Sequence, residues 1–95
     1  MKNKIKVINK GTSDTTLSIN PNILYVWGEV SALTLQLLPG EADTYNNYMF
    51  QFESGDTPTT LSITPQVEWV EPLNIKANTK YQVSILNNIG LIVGV

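Results

Sequence analysis

The side chains that most often do chemistry in proteins are missing from this sequence. The 95 residues include no histidine and no cysteine, which are the commonest general base and the strongest nucleophile. A Ser-His-Asp or Cys-His arrangement is therefore excluded, and zinc is disfavoured because it prefers imidazole and thiolate ligands. We expect no catalytic residue, no metal ligand and no cofactor, and we predict that the chain is not an enzyme.

Carboxylate pairs are the remaining candidates for catalysis. Glu68 and Glu71 flank Trp69, and two carboxylates beside an aromatic ring are typical of glycoside hydrolysis. The alternation of Val67, Glu68 and Trp69 favours another interpretation, because it places Glu68 on the face opposite the two apolar residues. We therefore expect a solvated carboxylate next to an aromatic side chain that plugs the core.

A calcium site is only weakly indicated by the sequence, and a phosphate site is not indicated. Glu41, Asp43 and Asp56 could bind calcium together with loop carbonyls, but the Asp-x-Asp-x-Asp-Gly spacing is absent. No glycine-rich loop follows a strand and opens a helix, so the sequence does not indicate a phosphate site.

Aromatic residues offer a binding alternative, because a row of rings can stack on sugars. We favour a core position for Trp27, Tyr48 and Trp69, since large aromatic side chains dominate small cores. Tyr45 lies in a polar stretch and is expected to be exposed, and Tyr45 with Trp69 is the alternative glycan contact. The aromatic residues considered as a sugar-binding platform are Tyr25, Trp27, Tyr45, Tyr48 and Trp69.

The charge balance disfavours nucleic acid as a partner. The net charge is −2 and all six basic residues are lysine, so the bidentate guanidinium that reads phosphate and guanine is missing. Four of the lysines begin the chain and alternate with Ile5 and Val7, which predicts that they form the solvent face of a first strand. No apolar stretch reaches the roughly 20 residues of a membrane span, and we expect a soluble product made in the cytoplasm. The four lysines near the start of the chain are Lys2, Lys4, Lys6 and Lys10.

Short alternating segments separated by Gly, Pro and Asn run through the whole chain. They predict about eight β-strands in one domain, residues 1–95, with the fold of a compact antiparallel β-sandwich resembling a jelly roll. A helix is possible for residues 33–38, but this segment is short and ends at Pro39-Gly40. Asn87-Asn88 predicts a two-residue hairpin turn, because Asn tolerates positive φ. The expected strands are 4–8, 15–19, 23–27, 32–37, 47–53, 59–65, 81–86 and 89–95.

The last seven residues carry no charged or polar side chain. One interpretation places this strand in the middle of a sheet with both faces buried. The other is that part of it covers a neighbouring subunit, with Ile89, Leu91, Val93 and Val95 in the contact. A 95-residue chain without disulfides buries a small core, which also favours an oligomer.

Three stretches, residues 20–30, 48–55 and 61–69, together with the hairpin at 81–90, resemble a known family. They are similar to small β-sandwich modules of tailed-bacteriophage virion proteins. An aromatic-x-Trp-Gly segment, a Phe-x-Phe-x-Ser-Gly segment, a Leu-x-Leu-Pro-x-x-Val-x-Trp segment and a final Tyr-containing strand recur in these modules. The similarity covers roughly residues 20–95. Thr64 and the segment 70–72 depart from the pattern.

The resemblance implies a structural protein of the virion. Its most direct form is an auxiliary or decoration subunit on the capsid surface, assembled in the host cytoplasm and packed against the major capsid protein and against itself, commonly as a trimer. The alternative that it implies is a glycan- or receptor-binding module of a phage fibre or baseplate. It implies no catalytic residue.

Overall fold

The computed structural model describes residues 5–95 and contains β-strands but no helix in that range. The all-β prediction is therefore confirmed, and the possible helix at residues 33–38 is a strand. Residues 5–95 form nine strands: β1 (Lys6–Gly11), β2 (Thr16–Ile19), β3 (Ile23–Glu29), β4 (Ala32–Leu37), β5 (Asn47–Glu53), β6 (Thr60–Thr64), β7 (Glu68–Trp69), β8 (Lys80–Leu86) and β9 (Ile89–Gly94).

Successive strands from β1 to β6 alternate between two sheets. Sheet A has the order β1-β3-β5-β8-β9-β7 and sheet B the order β2-β4-β6. The pairs β1–β3, β3–β5, β2–β4 and β4–β6 are all parallel. The chain thus winds through three coils, each with one strand in either sheet, which is the stacking of a β-solenoid.

The antiparallel sandwich predicted from the sequence is therefore wrong for most strand pairs. Only β5–β8 and β8–β9 are antiparallel among the described pairs. Alternation of apolar and polar residues reports that one face of a strand is buried, but it carries no information about the direction of the neighbouring strand. The connections between successive strands of the coils lead from one sheet to the other, and we call them corners. Several corners contain residues with positive φ, among them Asp14, Asn22 and Asp43.

The expected hairpin at the end of the chain is confirmed. Asn87 and Asn88 connect β8 to β9 with φ of 50° and 66°, the left-handed values that a type I′ turn requires. This hairpin extends sheet A beyond the third coil, and β7 pairs in parallel with the start of β9. The sheet that carries the hairpin is therefore three strands wider than sheet B.

The core lies between the two sheets and is dominated by aromatic rings from sheet A. The rings of Tyr25, Trp27, Phe50, Phe52 and Tyr81 form a row whose successive centroids lie 5.5–6.3 Å apart. Leucine and isoleucine side chains of sheet B cover them. The core position predicted for Trp27 is confirmed, because only 1% of this residue is exposed.

The polar atoms of two of these core aromatic side chains form hydrogen bonds with the backbone of the corners. The Trp27 Nε1–H donates to the Ser13 carbonyl at 2.9 Å, and the Tyr25 hydroxyl accepts from the Asn20 amide at 3.0 Å. Because each bond joins a buried ring to the backbone of a corner, the aromatic row fixes the path of the chain between the two sheets.

Candidate interaction surface

The outward-facing side of sheet B is polar throughout. Its residues are exposed and carry hydroxyl, amide or methyl side chains, which suit contact with water. In the parallel register, Thr16 lies beside Thr34, and Ser18 lies beside Gln36 with a hydrogen bond of 3.3 Å between their side chains. This face needs no partner. Its members are Thr16, Ser18, Ala32, Thr34, Gln36, Thr60, Ser62 and Thr64.

The outward-facing side of sheet A, which we call the outer face, has a different composition. One row of register partners crosses five strands, from Val7 through Leu24, Met49 and Ser84 to Leu91. Every member of this row is uncharged, and four of the five are apolar. With Ile5 and Val93 beside it, the row lines a shallow groove of about 340 Å³. We call Ile5, Val7, Leu24, Met49, Leu91 and Val93 the apolar strip.

Several residues of the apolar strip are open to solvent. Ile5 and Val7 are each 53% exposed, Leu91 is 47% exposed and Val93 is 50% exposed. Large apolar side chains on neighbouring strands cost free energy when they are hydrated, at about 25 cal/mol per Å². A contiguous patch of this kind on one face is typical of a protein contact.

The residues predicted as the partner interface lie on this outer face. Ile89, Leu91 and Val93 alternate outward along β9, while Gly90 and Ile92 face the core side, and Val95 follows the strand with 78% exposure. The interpretation that both faces of this strand are buried is therefore wrong. The strand lies inside the sheet order, between β8 and β7, but only one of its faces is covered by the chain.

The first strand is oriented opposite to the sequence prediction. The sequence predicts that the lysines of this strand face solvent. In the structure Ile8 packs against the core, and Lys6 lies on the same side of β1 as Ile8. Ile5 and Val7 consequently face outward. Lys2 and Lys4 lie outside the described residues. Lys10 forms an exposed ion pair with Asp14 at 3.2 Å, a geometry that contributes little stability at a protein surface.

The predicted glycan residues do not come together. Tyr45 lies in the loop before β5 and is 77% exposed, as expected. Trp69 lies on β7, three places away from β5 in the order of sheet A, and is half-buried against the core. Its ring covers Gly90, where an added Cβ would lie 2.7 Å from the Trp69 Cζ3 atom. Trp69 therefore has a packing role, and the two rings do not form one platform.

The carboxylates considered for chemistry are exposed and dispersed. Glu68 and Glu71 are both exposed, as are Glu41, Asp43 and Asp56. Within residues 5–95, no group of three or more His, Cys, Asp or Glu side chains is placed to bind a metal ion. That part of the chain also has no helix that is long and apolar enough to cross a membrane.

Sequence reasoning missed the breadth of the outer face. The C-terminal strand is recognisable because its apolar residues are consecutive, but Val7, Leu24 and Met49 come from three other strands. Their adjacency depends on the parallel register, which the sequence pattern does not specify. Met49 lies between the core residues Tyr48 and Phe50 on β5 and therefore faces outward. An apolar residue at an outward-facing strand position is the sequence signal that could have identified this face.

Comparison with protein-family models, with curated proteins and with solved structures finds no significant match for this chain.

Proposed function

We propose that this protein is a structural subunit that works by packing its outer face against another protein, as an auxiliary or decoration subunit on a bacteriophage capsid. The observation that carries the packing function is the contrast between the two sheets. Sheet B presents hydroxyl and amide groups to solvent, while sheet A presents the apolar strip. The virion setting is supported by the sequence resemblance of residues 20–95 to phage virion modules.

Physical chemistry favours a covered outer face. Both sheets contain parallel strands, but only sheet A places apolar residues side by side on a face that the chain leaves open, among them Val7, Leu24 and Met49. Packing of a partner would remove the half-exposed side chains of the strip from water. Burying a fully exposed large apolar side chain contributes roughly 1.5–3 kcal/mol, so each of these half-exposed side chains contributes about half of that before the costs of association are subtracted.

The proposal is tested by binding of the purified chain to empty capsids of tailed bacteriophages, measured by co-sedimentation. We expect retention of the wild-type chain and loss of retention for Leu91→Lys, which places a charge in the strip. Thr34→Lys is the matched control, because Thr34 is an exposed strand residue on the opposite sheet. Equal retention of both variants would count against a role of the outer face in capsid binding.

Glycan binding is the second candidate, and the exposure of Tyr45 is the observation in its favour. A glycan-binding chain should be retained on a glycan array, with retention lost in Tyr45→Ala. That substitution removes an exposed ring, so it should leave the free energy of unfolding within about 0.5 kcal/mol of wild type. Absence of retention on the array for the folded wild-type chain would eliminate this candidate.

A further inference from the structure

We infer that the partner of the outer face is a second copy of this chain, packed face to face about a two-fold axis that runs parallel to the strands between β5 and β8. The inference rests on the proposed packing function and names the second copy, not a capsid protein, as the partner of the outer face, so that another surface of the dimer contacts the capsid. It follows from the order of side chains on the four central strands of sheet A, which places Leu24 over Leu91 and Glu53 over Lys80 under this rotation.

Four strands, β3, β5, β8 and β9, lie symmetrically about the proposed axis. The rotation places β5 of one copy over β8 of the other, and β3 over β9. Because the axis is parallel to the strands, residues that are register partners within one copy face each other between copies. Leu24 then lies over Leu91 and Met49 over Ser84, while Val7 on β1 lies outside the four-strand contact.

The charged residues at the border of the outer face indicate the direction of the two-fold axis. Glu53 and Lys80 are register partners on β5 and β8, and no ion pair joins them among the ion pairs found in residues 5–95. The proposed rotation places Glu53 of each copy over Lys80 of the other, at two equivalent positions. A two-fold axis perpendicular to the strands would instead place Lys80 over Leu86 and Glu53 over Asn47, so that neither charge would meet its opposite.

Twist between the two sheets is compatible with this pairing. Face-to-face sheets cross at about 30°, which displaces groups roughly 10 Å from the centre by about 5 Å sideways. The lysine side chain is long enough to cover that displacement. The Glu53–Lys80 contacts therefore remain within reach at the rim, while the apolar row stays near the centre.

The contact area predicts a dimer of modest affinity. Four strands spaced by about 4.8 Å, with three or four outward residues along each, give a footprint of roughly 450 Å² per copy. Stable interfaces bury about 800 Å² per partner, so we expect a dimer that forms at micromolar concentrations rather than an obligate one. This symmetry predicts a dimer where the family resemblance implies a trimer.

Charge reversal tests the geometry. Glu53→Lys and Lys80→Glu should each weaken self-association by about tenfold or more, because like charges then face each other at both positions. An equimolar mixture of the two variants should associate nearly as well as wild type. In the mixed dimer the two substituted side chains carry opposite charges and face each other, and the unchanged Lys80 of one copy faces the unchanged Glu53 of the other. Sedimentation velocity at concentrations from about 1 to about 500 µM, a range that brackets the micromolar dimer expected from the contact area, measures all three samples.

The mixing experiment separates contacts between copies from contacts within a copy, because each variant loses its own Glu53–Lys80 neighbour whether alone or mixed. Recovery on mixing supports the proposed axis. A wild-type chain that stays monomeric throughout this concentration range, or variants that do not recover on mixing, would overturn it. Capsid co-sedimentation of the same samples is an independent readout, since retention by monomeric variants would leave the packing function standing and remove only the two-fold dimer.

Discussion

Gly90 gives the sharpest test of the packing at the end of sheet A. It lies on β9 opposite Ile85 and faces the core side. An ideal Cβ at this position would lie 2.7 Å from Trp69 Cζ3 and 2.7 Å from Val67 Cγ1. These distances are shorter than any ordinary carbon–carbon contact of about 3.5–4.0 Å, so Gly90→Ala must displace the indole ring or the backbone of β9.

The magnitude follows from two opposing effects. Forcing a methyl group into a filled site costs typically about 1–3 kcal/mol. Replacing a strand glycine by alanine gains roughly 0.5–1 kcal/mol, because the unfolded chain loses conformational freedom. We therefore expect Gly90→Ala to lower the free energy of unfolding by about 1–2 kcal/mol. For a domain of this size the midpoint of thermal unfolding should fall by about 5–15 °C.

Gly94→Ala is the matched control on the same strand. An added Cβ there would lie 3.5 Å from Tyr81 Cε1, which is an ordinary van der Waals contact. The entropic gain should remain, so the unfolding midpoint should stay equal to that of wild type or rise by a few degrees. Thermal and urea unfolding followed by circular dichroism measure both variants. A Gly90→Ala chain as stable as Gly94→Ala would refute the packing of the Trp69 ring against Gly90.

Two further pairs of substitutions test a buried hydrogen bond and the hairpin turn. Thr59→Val removes a hydroxyl that donates to the Val30 carbonyl at 2.7 Å in a buried setting, and should cost about 1–2 kcal/mol in urea unfolding. The same change at the exposed neighbour Thr60 should cost less than about 0.5 kcal/mol, and equal costs would contradict the assigned bond. Asn88→Val places a β-branched residue at a φ of 66° and should cost about 1–2 kcal/mol, whereas Asn88→Gly should be neutral or stabilising. Equal stability of these two variants in thermal unfolding would argue against a type I′ turn.

Strand positions could be predicted from the sequence because each strand has one covered face. The expected segments 32–37 and 47–53 match β4 and β5 in both bounds, and alternation of apolar and polar residues was sufficient to define them. The Asn87-Asn88 turn was predictable for a local reason, since few residues tolerate positive φ. Local chemistry thus determined the elements.

Strand direction could not be predicted, because it depends on contacts between residues far apart in the chain. The parallel pair β4–β6 joins Leu33 to Leu61, and the intervening residues contain β5 in the other sheet. An antiparallel sandwich and a solenoid place the same residues inside. Only the lengths and shapes of the corners distinguish them, and these are weakly encoded in sequence.

The candidate site was partly predictable for the same reasons. Ile89, Leu91 and Val93 could be identified because an uncharged terminal strand is unusual. The remainder of the apolar strip could not, because Ile5 and Val7 alternate with lysines and the sequence pattern assigned them to the wrong face. At the end of a sheet, the more apolar side of a strand can face outward when a partner covers it.

Met49 provides the most direct test of the central claim, which is that the outer face of sheet A is covered in the assembled protein. It lies at the middle of the row from Val7 to Leu91, and its thioether is oxidised to the sulfoxide when a mild oxidant can reach it. Peptide mass spectrometry should show that oxidation of Met49 slows by about tenfold or more as the chain passes from dilute solution into its assembled form. Radical labelling of the exposed Tyr45 in the same samples should not change. Undiminished oxidation of Met49 in the assembled form would contradict the account.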